Sequence, residues 1–254
     1  GTTTDPVEYT EVGNYQITWT FDDGNGNTST AIQQVVVQNT TAPIAPALED
    51  AVAECEITVP VPSTTNACSG VTIEGTTNDP LTYNEQGEYS ITWTFDDGDG
   101  NVVISVQNVI IKDITAPEAV TLADVTGECS ATVTAPTTSD NCAGTITATT
   151  NDPLTYNEQG EYVVTWTFDD GNGNITTVDQ NVIVKDITAP EAVTLADVNG
   201  ECEATVVIPT TSDNCSGTIT ATTEDALTYD EQGEYVVTWT FNDDNGNITT
   251  VDQN

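Results

Sequence analysis

The chain has 254 residues with 41 acidic against two basic side chains, a formal net charge of -39, and neither His nor Met. Acidity on this scale repels phosphate backbones and anionic lipid, which excludes nucleic-acid and membrane-surface partners. Lack of His removes the commonest general base and metal ligand, so triads, zinc sites and haem are excluded and a hard cation such as Ca²⁺ comes first. The apolar fraction of 37% is rich in Val, Ile and aromatics beside abundant Thr. These are strand formers, and the expectation is a folded β protein with an acidic surface. No apolar run is long enough to span a bilayer.

Trp19, Trp93, Trp166 and Trp239 recur every 73 or 74 residues, and the Thr-Ala-Pro triplets at 41–43, 115–117 and 188–190 keep that spacing. Segments 113–181 and 186–254 differ at only 10 of 69 positions, so the chain is a tandem array. The register divides it into 1–40 (the C-terminal part of a repeat), 41–114, 115–187, and 188–254 (a repeat lacking its final strand end). Both ends fall inside a repeat, the expectation for a segment of a longer polypeptide.

Taken in chain order, repeat 115–187 reads as all β. Val120 and Leu122 alternate, then Cys129, Ala131 and Val133, giving two strands. Gly144–Thr149 forms a third and Leu154–Tyr156 a short fourth. Tyr162, Val164, Trp166 and Phe168 occupy every second position and should share one buried face. That same-face alternation makes them core residues and not a sugar-stacking platform. Val178, Val182 and Val184 alternate in the last strand, with Gln180 the exception. Period-2 runs between turn residues predict an antiparallel Ig-like β-sandwich of six or seven strands per repeat. Glu158-Gln-Gly-Glu-Tyr162 looks like a tyrosine corner, and Asp169-Asp-Gly-Asn-Gly-Asn174 is a hairpin turn rich in residues that tolerate positive φ. Glu158 and Glu161 lie in a tight turn without an evident cleft, which argues against a glycosidase pair.

Each complete repeat owns two cysteines 13 apart, and self-contained folding predicts the pairs Cys55–Cys68, Cys129–Cys142 and Cys202–Cys215. A thiolate metal site is the rival, but two sulfurs without His make a poor zinc set. Disulfides imply an oxidising, extracellular location.

Pro136-Thr-Thr-Ser-Asp140-Asn141-Cys142, then Gly160, Val164 and Trp166, then Asp169-Asp-Gly-Asn-Gly-Asn174, resemble the HYR (hyalin repeat) domain. The Asp-Ile-Thr-Ala-Pro junction is similar to the linkers of bacterial Ig-like arrays. Near-identical acidic copies also resemble giant surface adhesins of Bacteroidota, including the SprB type used in gliding. The resemblance covers the whole chain and implies extracellular Ig-like modules used in adhesion. It departs from the usual HYR pattern in placing Trp166 on the aromatic strand and in lacking a second Cys after the hairpin.

Ig-like topology brings the loop after the second strand and the loop before the last strand to the end facing the preceding repeat. Three acidic features should therefore converge at each junction. They are Asp113, Asp140 with Asn141, and Asp169/Asp170 at one, and Asp186, Asp213 with Asn214, and Asp243/Asp244 at the next. This is an oxygen set for Ca²⁺, although an ion held inside the hairpin, or no specific ion, remains open. At the first junction Asn39 and Asn66 replace two of the acids, which predicts weaker Ca²⁺ binding and easier bending there. The expected function is non-enzymatic. The segment is a stalk of a large extracellular adhesin, about 35–40 Å per repeat, whose partners are neighbouring repeats and possible anchoring proteins. Ligand-binding Ig-like modules, or an accessory array of a secreted enzyme, are the alternatives.

Overall fold

The computed structural model describes all residues 1–254, which form no helix. The chain divides into two compact units, Gly1–Ile114 and Thr115–Asn254, and the boundary falls inside an Asp-Ile-Thr-Ala-Pro junction. In the second unit, residues 115–187 carry seven strands: Val125–Gly127, Ala131–Thr132, Thr137–Asp140, Gly144–Thr147, Thr155–Tyr156, Gly160–Asp169 and Ile175–Val184.

The two longest strands form the frame. Gly160–Asp169 pairs antiparallel with Ile175–Val184 over ten residues, both rich in β-branched and aromatic side chains. Their connection turns on Gly171 and Gly173, at φ 81° and 104°. Val125–Gly127 runs parallel to Val182–Val184 on one side of this hairpin, and the bridge Thr149↔Thr167 extends the other side. The facing layer consists of two short antiparallel pairs, Ala131–Thr132 with Thr155–Tyr156 and Thr137–Asp140 with Gly144–Thr147. The result is the two-layer sandwich expected for an Ig-like repeat, antiparallel except for the pair of Val125–Gly127 with Val182–Val184.

Val164, Trp166 and Phe168 from one layer meet Ala131, Val133, Ile146 and Ala148 from the other in a single buried cluster, with Tyr162 packed at its margin. Equivalent clusters form around Trp93 and Trp239, and each draws only on residues within one 73-residue span. The stretch holding Val120 and Leu122 packs on the core but forms no strand. It starts beside Thr138 and Ser139, where Glu118 N–H donates to the Ser139 carbonyl at 3.0 Å. It then crosses to the other layer to become the parallel strand Val125–Gly127. A segment changing layers cannot keep one ladder.

Two local devices explain residues that the apolar pattern leaves over. Tyr162 Oη donates to the Glu158 carbonyl at 2.9 Å, the tyrosine-corner bond, and Tyr15, Tyr89 and Tyr235 repeat it. Gln180 interrupts the valines because the Trp166 indole N–H, deep in the core, needs an acceptor. Gln180 Oε1 accepts it at 2.9 Å, and Gln180 Nε2 donates to the Ala123 carbonyl at 3.0 Å. Replacing Gln180 with Leu strands the indole donor in an apolar core. Thermal or denaturant unfolding of Gln180→Leu should therefore show a loss of about 1–3 kcal/mol. An unchanged stability would show that the indole finds another acceptor.

Candidate cation site and the bridge between repeats

The strand Ile175–Val184 ends in a linker, and the sandwich that follows it presents two turns toward that linker. In the unit Thr115–Asn254 these features bring Asp186, Asp213 and Asp243 together, with one carboxylate oxygen of each inside a 4.8 Å cluster. All three residues are buried, at 2%, 9% and 4% exposure, although carboxylates are rarely buried without partners. No salt bridge compensates them, and Lys185 beside the cluster points to solvent.

The carboxylates differ in how they are held. Asp186 follows the strand end, where its N–H donates to Gln159 Oε1 at 2.7 Å. Its oxygens accept from Thr188 N–H at 3.1 Å and Asn245 Nδ2 at 3.2 Å. Asp243 opens the hairpin turn and takes the N–H groups of Asn245 and Asn247, plus Asn247 Nδ2 at 2.6 Å. Burial pushes its carboxyl up, but the Asn247 amide and the backbone donors outweigh this and hold it below the usual 3.8. Asp213 is half satisfied. Its Oδ1 accepts from Cys215 and Ser216 N–H at 2.9 and 2.8 Å, while its buried Oδ2 has no hydrogen-bond partner. Ser216 Oγ donates to the Asp243 carbonyl at 2.8 Å, fixing the two turns against each other.

A buried, orphaned carboxylate oxygen beside two further carboxylates suits a hard divalent cation, and Asp186, Asp213 and Asp243 are the residues that would hold it. Asn214 does not join them. It is exposed, and its Nδ2 donates to Glu128 Oε2 at 2.7 Å. Asp244 is also exposed, at φ 64° where the preceding repeat has Gly171, and it serves the turn.

The preceding repeat presents the same turns. Asp140 and Asp170 carboxylates lie within 4.8 Å, and Asp140 Oδ1 caps Cys142 and Ala143 N–H while its buried Oδ2 has no partner. Asp170 is buried, and burial raises its carboxyl less than the Asn174 amide and backbone donors lower it. Asp169 is exposed and caps Gly171 N–H at 2.9 Å, and Asn141 is exposed as well. Asp113, in the unit Gly1–Ile114, is buried and donates its N–H to Gln86 Oε1 at 2.7 Å, as Asp186 does to Gln159.

The unit Gly1–Ile114 holds the asparagine version of the cluster. Asn39 and Asn66 are both buried. Asn39 Nδ2 donates to Asp97 Oδ2 at 2.8 Å and to Asp99 Oδ2 at 3.3 Å, and Asn101 Nδ2 donates to the Asn39 carbonyl at 3.1 Å. An amide donor thus stands where the other repeats present an acid. The Asn101 amide, followed by backbone N–H groups that together outweigh desolvation, holds the Asp97 carboxyl below 3.8. Asn66 Oδ1 caps Cys68 and Ser69 N–H just as Asp213 caps its own turn.

The cysteines overturn the pairing expected from their spacing. Cys129 is bonded to Cys215 of the following repeat, with Cα atoms 5.0 Å apart and a sequence separation of 86. Cys55 and Cys142 are also disulfide-bonded, whereas Cys68 and Cys202 are free and exposed. Pairs Cys55–Cys68, Cys129–Cys142 and Cys202–Cys215 therefore do not form, and there is no self-contained disulfide in each repeat. The reason is extension. Residues 131–140 run as one strand-like stretch, paired at Ala131↔Tyr156, Thr132↔Thr155 and Thr137↔Thr147. The nine steps from Ala131 to Asp140 alone span about 30 Å as a strand, far beyond the roughly 4.4–6.8 Å Cα separation of a disulfide.

Glu128, absent from the sequence-derived set, belongs to this boundary. Its Oε2 accepts from Thr188 Oγ1 and from Asn214 Nδ2, both at 2.7 Å, and its carbonyl accepts Gln159 Nε2 at 2.7 Å. The signal that could have found it is the recurring Glu-Cys step at 54–55, 128–129 and 201–202.

With this geometry described, the relatives can be compared. No family model matches the chain. It is 29% identical over 274 residues to hyalin of Lytechinus variegatus and 27% identical over 278 residues to hyalin of Strongylocentrotus purpuratus. The chain is similar to hyalin. Those matches cover 96% of this chain, which spans about half the length of the first relative and 23% of the second. Among solved structures, the protocadherin GammaB4 extracellular domain matches 94% of this chain and 53% of its own, at 14% identity and a TM-score of 0.34. A Ca²⁺-stabilised adhesin with which an Antarctic bacterium binds ice matches 94% and 80%, at 14% identity and 0.30. Superposition on both is loose.

The chain has two basic residues, Lys112 and Lys185, so trypsin has two specific cleavage points. Cleavage after Lys185 should leave 113–185 and 186–254 joined on a non-reducing gel through Cys129–Cys215, and reductant should separate them. Fragments that separate without reductant would instead support pairing within each repeat.

Proposed function

We propose that this chain is a non-enzymatic stalk segment of a large extracellular adhesion protein, built from repeats 41–114, 115–187 and 188–254 behind the partial repeat 1–40. Disulfides and the similarity to hyalin support an extracellular place. Three separate cores, one per 73-residue span, support repeats whose number sets length without a shared core.

In this reading a divalent cation, with Ca²⁺ the best match to an all-oxygen set, clamps the boundary at Asp186, Asp213 and Asp243. The carrying observation is the buried, unpartnered Asp213 Oδ2 between two other buried carboxylates. When bound, the ion supplies positive charge to three acids contributed by a linker and two turns, and so ties one repeat to the next. Gln159 and Ser216 position the linker and turns. The Asn39–Asp97 hydrogen bond supports a different state for the first boundary, which is held by amides and needs no ion. Expected weaker Ca²⁺ binding there fits this reading, while easier bending does not.

Calorimetry with Ca²⁺ on the full chain tests the proposal. The variant Asp186→Asn/Asp213→Asn copies residues that the first boundary already tolerates at Asn39 and Asn66. It should bind one fewer Ca²⁺ than the parent and lose part of the thermal stabilisation by Ca²⁺, which is about 2.7 kcal/mol per site at a hundredfold excess over Kd. Unchanged stoichiometry in this variant contradicts the cation clamp.

A further inference from the structure

Cys129 and Cys142 sit at opposite ends of their repeat, joined by the extended stretch that contains Ala131–Thr132 and Thr137–Asp140. Cys202 and Cys215 have the same arrangement about Ala204–Thr205 and Thr210–Asp213. Cys215 is bonded backward to Cys129, and Cys142 is also bonded. The exposed Cys202 thiol stands at the far end of its stretch and is free. A covalent path entering the last repeat at Cys215 therefore reaches Cys202 through 13 residues, bypassing the hairpin that carries Trp239.

We propose that the cysteines are a tension-bearing backbone of the array, in which load passes from repeat to repeat through disulfides and skips the core that each bond encloses. The connectivity carries this, independently of the cation reading. With Cys129 joined to Cys215, a pull on the two chain ends passes from 129 directly to 215. The residues between them, including Val164, Trp166 and Phe168 of the core, lie in a closed ring outside the load path. The bridging stretch itself has little slack. The nine steps from Ala131 to Asp140 span about 30 Å as a strand and at most about 32 Å when fully drawn out, and the bend and turn at its ends add only four more steps. A repeat pulled through its cysteines lengthens by at most about 2 nm, whereas one pulled through its backbone releases about 26 nm from 73 residues.

The same logic assigns a partner chemistry to the free thiols. Cys202 matches Cys129 in register, and Cys68 matches Cys215. Each is placed to take a half-cystine from a repeat of this same type, Cys202 from one that follows and Cys68 from one that precedes. Two thiols become one disulfide, and two hydrogens pass to a disulfide oxidant such as oxidised glutathione, which is reduced to two thiols.

Single-molecule pulling of the full chain by handles at both termini tests the load path. In reductant, the repeats should open in steps of about 26 nm. In the oxidised chain there should be at least one repeat-sized step fewer, and the total length released should be shorter by at least about 30 nm, the contour between residues 129 and 215. The oxidised Cys129→Ser/Cys215→Ser chain should release more length than the oxidised parent, which separates loss of the path from general destabilisation. An oxidised parent that shows every repeat-sized step, or a double variant no longer than the parent, overturns the proposal.

Discussion

Burying carboxylates is the constraint on which the boundaries between repeats depend. A buried acid must be neutralised, hydrogen-bonded or matched to a cation, because desolvation otherwise penalises its charge. The chain meets this demand in two ways. Around Asn39 it replaces an acid with an amide that donates to Asp97. Around Asp186 it keeps three acids, distributes backbone and amide donors among them, and leaves one oxygen of Asp213 unanswered. One fold thus offers a boundary closed by hydrogen bonds and another suited to an ion, and the difference lies in the residue types at two positions.

Strand length decides where those residues sit. The hairpin of two ten-residue strands sets the length of the sandwich, and the shorter layer has to span the same distance. A chain that crosses the repeat once between Cys129 and Cys142 carries its two cysteines to opposite ends. One end also holds the acidic turns, and the other holds Glu128 and the exit to the linker. The fold therefore carries complementary ends, and the boundary between repeats 115–187 and 188–254 combines a carboxylate cluster, the Cys129–Cys215 disulfide and the Glu128–Asn214 hydrogen bond. The -39 charge is largely solvated surface, but a recurring subset is drawn into these boundaries.

Much of this was legible in residue order alone. The 73-residue register, the alternation through Val164, Trp166 and Phe168, and the tyrosine corner identify the sandwich, because burial on one face of a strand forces a period of two. The acids that converge were also readable, since Ig-like topology dictates which turns share an end. Cysteine partners were not, because a spacing of 13 looks like a short loop until the stretch is seen to be extended. Gln180 looked like a break in the pattern because its role depends on a partner 14 residues away across a hairpin. Asn214 looked like a cation ligand because it adjoins Asp213, yet adjacent residues point in different directions and its amide faces Glu128.

The central claim is that a divalent cation completes the boundary between repeats 115–187 and 188–254. A crystal structure of the full chain grown with Ca²⁺, with anomalous data from a Tb³⁺ exchange, tests it most directly. The account predicts a peak at about 2.3–2.6 Å from Asp213 Oδ2 and from oxygens of Asp186 and Asp243. A well-ordered boundary whose Asp213 Oδ2 instead binds only water or a protein donor, with no metal peak, would contradict it.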